Sequence, residues 1–397
     1  FLILIIFTSK GFSQKSIIIF KNDYSNNYMN YAIYDLIIKN IFLYSNLKII
    51  NSYSNYSSYN KIKSQIKKLT INNNANISIA YQIQNFKNGI LINYIIFDNE
   101  KPNEWIEKSV YSKEEDLFIS INKILKDIYE ISKIKNKITY IKEKDYISLL
   151  GYYSQKIILT NNEDNIYKLF YDFHKDNIYF NIDYLEYLTD KSDRTSVDII
   201  NDLINNMQNY INKKKNHYYL YSLGCMHYGK YKVNVILSDI EASIENYNKA
   251  LKLKNNYYKY YYRLANAYIL KNDYDNAIKY YEEAIKLNEY DINIIKEFVS
   301  LLKRDINKNG NEVISYLKKI IEINKNDEEA LEEISKLYEK IGDYDNALIY
   351  YNKLFEVINY NLYIINNETK DADAYDRYIL KRNSIKLNIE SLKNKIF

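Results

Sequence analysis

The apolar positions change period several times over the first third of the chain and then settle into a helical repeat. Ser16 to Phe20 is a short apolar run of strand character, while Asn30 to Tyr44 carries Ile33, Leu36, Ile37 and Ile41 at helical spacing. Leu47 to Tyr53 returns to strand character and Lys61 to Leu69 reads as a basic second helix. Ile77, Ile79, Tyr81 and Ile83 alternate with smaller or more polar residues, as do Ile90, Ile92, Tyr94 and Ile96, and Asn88-Gly89 between them supplies a tight hairpin turn. A further strand at Trp105 to Tyr111 follows the single proline, Pro102, and Glu114 to Ile131 is an amphipathic helix. Residues 14–134 therefore read as β-α-β-α-β-β-β-α.

Beyond this segment strand signals disappear. Tyr146 to Ile158, Asn165 to His174, Tyr179 to Leu188 and Ser196 to Lys213 are helix-length patterns, so 143–216 is expected to hold degenerate helical repeats. A phrase of 34 residues, Tyr258 to Asp291, then places Tyr261, Leu264, Ala265, Tyr268, Tyr274, Ala277, Tyr281 and Ala284 along two short helices. It returns at Glu328 to Asn361 with Leu331, Ile334, Ser335, Tyr338, Tyr344, Ala347, Tyr351 and Leu354, and Gly342 to Ala347 nearly repeats Asn272 to Ala277. A unit between them would use Ile295, Phe298 and Leu302, then Val313, Leu317 and Ile320, with Asn307 to Asn311 as a lengthened turn. Upstream, Leu220, Leu223 and Gly224 match a first helix, Ser243, Tyr247 and Ala250 a second, and Tyr228 to Ser238 would loop out.

These phrases resemble the tetratricopeptide (TPR) repeat, whose small residues let two antiparallel helices approach while large ones fill the space between them. The resemblance implies an all-α superhelix of helical hairpins over 217–361, with 370–397 as a capping helix carrying Tyr378, Ile385, Ile389, Leu392 and Ile396 on one face. The expected fold is α+β, a small α/β domain followed by that solenoid. Residues 14–134, with the strand Ser16 to Phe20 before a helix, a second strand ending in Lys48-Ile49-Ile50 and the hairpin followed by Trp105, resemble the N-terminal domain of the translocation protein TolB. That resemblance implies an assembly module and transfers no catalytic signature.

Composition adds little chemistry. The chain has 397 residues, 47 of them Tyr, and 55 basic against 50 acidic side chains, so no single-sign field for nucleic acid or membrane is implied. The apolar run Phe1 to Phe7, with Gly11 and Ser13 as small residues behind it, reads as the end of a signal peptide over 1–13, and hence as export to the periplasm; a cytoplasmic location is the alternative. No later run is long enough to cross a bilayer. One cysteine, Cys225, leaves no disulfide framework, and Cys225 with His227 lacks the further ligands that zinc needs. His227 is expected in the core, at a position where the repeat usually has Tyr.

Closely spaced glycines for a phosphate cradle and a Gly-x-Ser-x-Gly elbow are both absent, so neither a cofactor nor an enzyme is implied. The acidic pairs Glu163-Asp164 and Glu328-Glu329 suit helix starts. What remains is the inner face of the solenoid, where the resemblance puts Tyr221, Ser222, Cys225, Tyr262, Arg263, Asn266, Ile269, Lys296, Ser300, Glu332 and Lys336. Of these, Tyr221, Tyr262, Arg263, Asn266, Ile269, Lys296 and Lys336 are the expected partner-binding residues, for a protein or peptide within an envelope complex. A two-lysine clamp for a terminal carboxylate is interrupted by Glu332 and Glu333. The alternative function is nucleic-acid binding through Lys61, Lys63, Lys67 and Lys68, or regulation of an envelope enzyme through the α/β domain.

Overall fold

The computed structural model describes residues 15–19, 28–45, 47–50, 59–72, 75–86, 88–103, 105–113, 115–133, 177–206, 216–369 and 371–396, with single positions between 141 and 174. The expected signal peptide and most of Tyr146 to Ile158 and Asn165 to His174 lie outside the described residues. Contacts divide the chain into two compact units: residues up to Asp273 with Lys286–Asn288, and Tyr274–Ile285 with Glu289–Phe397.

The first unit opens with the predicted order: β1 (Ser16–Ile19), α1 (Tyr28–Tyr44), β2 (Lys48–Ile50), α2 (Tyr59–Asn72), β3 (Ile77–Phe86), β4 (Gly89–Asp98), β5 (Trp105–Ser112) and α3 (Leu117–Ser132). The strands form one mixed sheet in the order β2-β1-β3-β4-β5. β1 runs parallel to both neighbours, and the β3–β4 hairpin forms as expected but closes with Phe86 opposite Gly89, so Asn88 lies in the turn while Gly89, expected there too, opens β4. Alternation decides the layers. Ala80, Ile95 and Phe97 turn to one face, where Ile62 and Ile66 of α2 cover them. Tyr94 turns to the other and donates to Asp127 of α3 at 2.6 Å, while Tyr129 of α3 donates to Asn40 of α1.

Helices α4 (Ile178–Lys191), α5 (Arg194–Asn206), α6 (His217–Asn234), α7 (Leu237–Leu253) and α8 (Tyr258–Leu270) complete this unit. The loop expected at Tyr228 to Ser238 is not there: α6 and α7 each continue through it, and Val235 makes the reversal in the left-handed region (φ 56°). The extra residues lengthen helices because Tyr228 stays buried and keeps the added turn worthwhile. Gly224 is required where α6 meets α7, since a Cβ there would lie 2.4 Å from the Tyr247 ring.

The second unit holds most of α9 (Tyr274–Leu287), then α10 (Ile292–Leu302), a 3-10 turn (Lys303–Asp305), α11 (Ile306–Ile323), α12 (Glu328–Lys340), α13 (Tyr344–Ile364) and α14 (Ala372–Ile396). Asn307 to Asn311, expected as a turn, is the first part of α11, and the chain reverses at Lys303–Asp305. Asp327 and Asp343 cap α12 and α13 by accepting from Ala330 N and Asn346 N. The α14 helix packs on α13, and Glu328 fastens it by accepting from Tyr378 at 2.7 Å and Lys381 at 2.6 Å. The repeated phrases give the same turn twice: Asp273 N donates to Tyr268 O and Asp343 N to Tyr338 O, both at 2.9 Å, after a residue of positive φ, Asn272 or Gly342.

Candidate functional site

Four of the residues expected on the inner face of the first unit are packed inside the chain itself. Tyr221, Ser222 and Cys225 on α6 are buried, and so is Arg263 on α8. A guanidinium cannot leave water without a fixed anion, and α4 supplies two carboxylates one helical turn apart. Arg263 Nη2 lies 2.9 Å from Glu186 Oε2 and Nη1 2.5 Å from Asp190 Oδ1. Tyr221 donates to Glu186 Oε1 at 2.6 Å, and Lys259 approaches the same carboxylate. Burial works against the charge of Glu186, but Lys259, Arg263 and these hydrogen bonds outweigh it and hold the carboxyl below its usual range. Tyr221 and Arg263 are thus corrected from groove residues to interior ones. Tyr262, Asn266 and Ile269 remain half-buried on α8, with the Tyr262 ring against the Arg263 guanidinium.

A second internal junction joins the sheet to the repeats within this unit. Lys254, just after α7, is buried and donates to the carbonyls of Phe42 and Ser45, both at 2.8 Å, at the end of α1. Carbonyls at a helix C-terminus attract a cation, yet burial still pulls the amine down to about 7. Beside it, Phe42 packs among His217, Tyr218, Tyr257 and Tyr260. Tyr260 holds His217 Nδ1 at 2.6 Å, and burial together with the Lys254 charge drops the imidazole to about 3. His174 is buried against Phe170, whereas His227 is only half-buried, 3.2 Å from Asp239, and not in the core as expected. Burial also raises the Cys225 thiol, to about 11, which makes it a poor nucleophile.

The second unit keeps an open face. Between α10, α11 and α12 lies a cleft of about 440 Å³ with Val313, Leu317 and Leu337 as apolar lining and Lys303, Lys336, Lys340 and Glu333 around them. Lys303 pairs with Glu333 at 2.6 Å and Lys336 with Glu332 at 2.5 Å. Lys340 has no ion-pair partner among the described residues and sits in the last turn of α12. A smaller recess of about 90 Å³ beside it includes Lys296 and Ser300, and Lys296 is held by Asp327 and Glu329. Of the expected binding residues, only Lys296 and Lys336 border these clefts. Lys303, Leu337 and Lys340 border the larger cleft and were not among the expected residues, though Lys336 and Lys340 stand at the i, i+4 spacing of one helix face, which was readable. The basic stripe on α2 is partly neutralised, because Lys63 pairs with Glu107 at 2.6 Å.

Among the described residues, no group of three or more His, Cys, Asp or Glu side chains could hold a metal ion. No helix among them is long and apolar enough to cross a membrane.

Two segments match family models of the tetratricopeptide repeat, residues 258–291 and 328–361, the same two phrases singled out in the sequence. Repeats of this type serve as protein-interaction scaffolds. No curated protein matches the chain. Among solved structures, one of MamA shares 22% identity over 41% of this chain and 91% of its own, with a TM-score of 0.33. A second structure of MamA shares 20% identity over 50% of this chain and 96% of its own, with a TM-score of 0.34. YrrB, described as a TPR protein with an unusual peptide-binding site, shares 16% over 47% of this chain and 89% of its own, with a TM-score of 0.30.

Proposed function

We propose that this chain is an exported, non-enzymatic scaffold that holds a protein segment in the cleft between α10, α11 and α12. The observation that carries the reading is that cleft: a narrow apolar floor of half-buried Leu337 over the packed Val313 and Leu317, bordered by the first helix of the repeat matched at 328–361, with Lys340, unpaired among the described residues, at its rim. Such a floor takes an aliphatic or aromatic anchor, and the lysines favour acidic residues flanking it. The TolB-like pattern of residues 14–134 and the apolar run Phe1 to Phe7 support an envelope setting.

A photoreactive side chain at Lys340 is expected to trap a protein segment in which acidic residues flank an apolar anchor. The synthetic segment should then bind wild type and lose about thirtyfold in affinity when Lys336 and Lys340 are both changed to Glu, as for about 2 kcal/mol at an interface hot spot. Binding that ignores this charge reversal would remove the cleft from the reading. Export has its own test: N-terminal sequencing of native protein should find a start near Gln14, and Phe1 retained in a cytosolic fraction would count against it.

A further inference from the structure

We propose that β5 is the contact edge of a homodimer, in which two copies pair antiparallel through this strand about a two-fold axis at Lys108. β5 pairs only with β4 among the described residues, in an unbroken register from Trp105 opposite Phe97 to Ser112 opposite Ile90. Its other edge carries a row of backbone donors and acceptors over 105–112, with no proline or bulge to blunt it. Two large apolar side chains near its ends stand in water, Trp105 at 47% and Tyr111 at 54% exposure.

The strand sequence is self-complementary in one register. A two-fold axis normal to the sheet keeps each side chain on its own face, so an odd position must meet an odd one and an even position an even one. Centring the axis on Lys108 sets Trp105 opposite the second copy's Tyr111, Ile106 opposite Val110 and Glu107 opposite Ser109, each pair occurring twice. A shift of one residue along β5 in either direction breaks this match. Centred on Glu107, it brings two Glu107 together and pairs Ile106 with Lys108; centred on Ser109, it pairs Lys108 with Val110 and Glu107 with Tyr111. Aromatic and β-branched pairs are the stabilising contacts of an antiparallel ladder.

The central residue meets its own copy, and a lysine there would ordinarily guard the edge. Here its charge is answered from within: Lys108 Nζ lies 2.8 Å from Asp127 Oδ1 and 2.9 Å from Oδ2. The guard is disarmed before the second copy arrives.

The test uses the full chain in sedimentation equilibrium, with emission of Trp105, its single tryptophan, as a second readout. Wild type should form a reversible dimer, with a blue shift of Trp105 as concentration rises. In a Lys63→Met background, which frees Glu107 from its 2.6 Å ion pair, Ser109→Asp puts an acid opposite Glu107 twice and should raise the dimer dissociation constant about tenfold, whereas Ser109→Lys should lower it several-fold. Ser109 is exposed, and equal urea midpoints for the dilute variants would show that the monomer is intact. A monomer at every soluble concentration overturns the proposal. So does a dimer whose stability is the same for Lys63→Met alone and with Ser109→Asp or Ser109→Lys added. Because the cleft on α10–α12 plays no part, this outcome is independent of the proposed scaffold function.

Discussion

At the scale of single residues, the buried pair Lys254 and His217 makes stability depend on pH in two separate windows. Lys254 loses its proton near 7 in the folded chain but near 10.5 once unfolded, so the unfolded state binds the extra proton between these values. Its burial penalty is therefore fully present below 7, and stability rises with pH from 7 towards 10.5. His217 shifts from 6.5 to about 3, so only the unfolded state takes up its proton across that range, and stability falls as pH drops from 6.5 towards 3. Comparing urea midpoints of wild type and variants across pH isolates each group: Lys254→Met should flatten the upper rise, His217→Gln the lower fall. Above about pH 10.5, where the Lys254 burial penalty has gone, Lys254→Met should cost about 1 to 3 kcal/mol, because it strands the carbonyls of Phe42 and Ser45. Neither group was readable in advance, since nothing near Lys254 in sequence names a helix end more than 200 positions away.

At the scale of elements, the hydrophobic period served well where one face of an element meets the core and failed where elements change length. Every strand and helix expected before residue 134 is present, because alternation against the sheet and helical spacing against its faces are local signals. The two repeat turns expected as long loops are helix instead. A repeat template fixes packed positions such as Ala277 and Tyr281, but it does not say whether added residues loop out or extend a helix. The glycines separate these cases experimentally. Gly224→Ala drives a methyl into the Tyr247 ring and should destabilise by about 1 to 3 kcal/mol. Gly310→Ala, in open space within α11, should stabilise by about 0.5 to 1 kcal/mol, and a loss there would argue for the loop first expected. Overpacking predicts a similar contrast between Ala277→Trp, about 1 to 3 kcal/mol destabilised at a fully buried site, and Asn266→Ala, smaller at a half-buried one; denaturant midpoints decide it.

At the scale of the whole chain, the sequence shows where the repeats are but not which of their faces are in use. Arg263 falls on a groove position by repeat alignment, and only its partners Glu186 and Asp190, 77 and 73 residues upstream, reveal it as interior. Only Glu186 falls on a predicted helix, Tyr179 to Leu188; Asp190 joins it because the helix runs on to Lys191, and neither acid is matched to one arginine among 55 basic residues by sequence alone. The Glu186–Arg263 lock has a further consequence, for heredity and not for binding. Repeats are ordinarily exchangeable parts, gained, lost and shuffled between genes because each touches only its neighbours. Here the repeat at 258–291 carries a buried cation whose counter-charges are encoded far upstream, so a copy of this repeat moved without α4 would bury Arg263 with no anion to answer it.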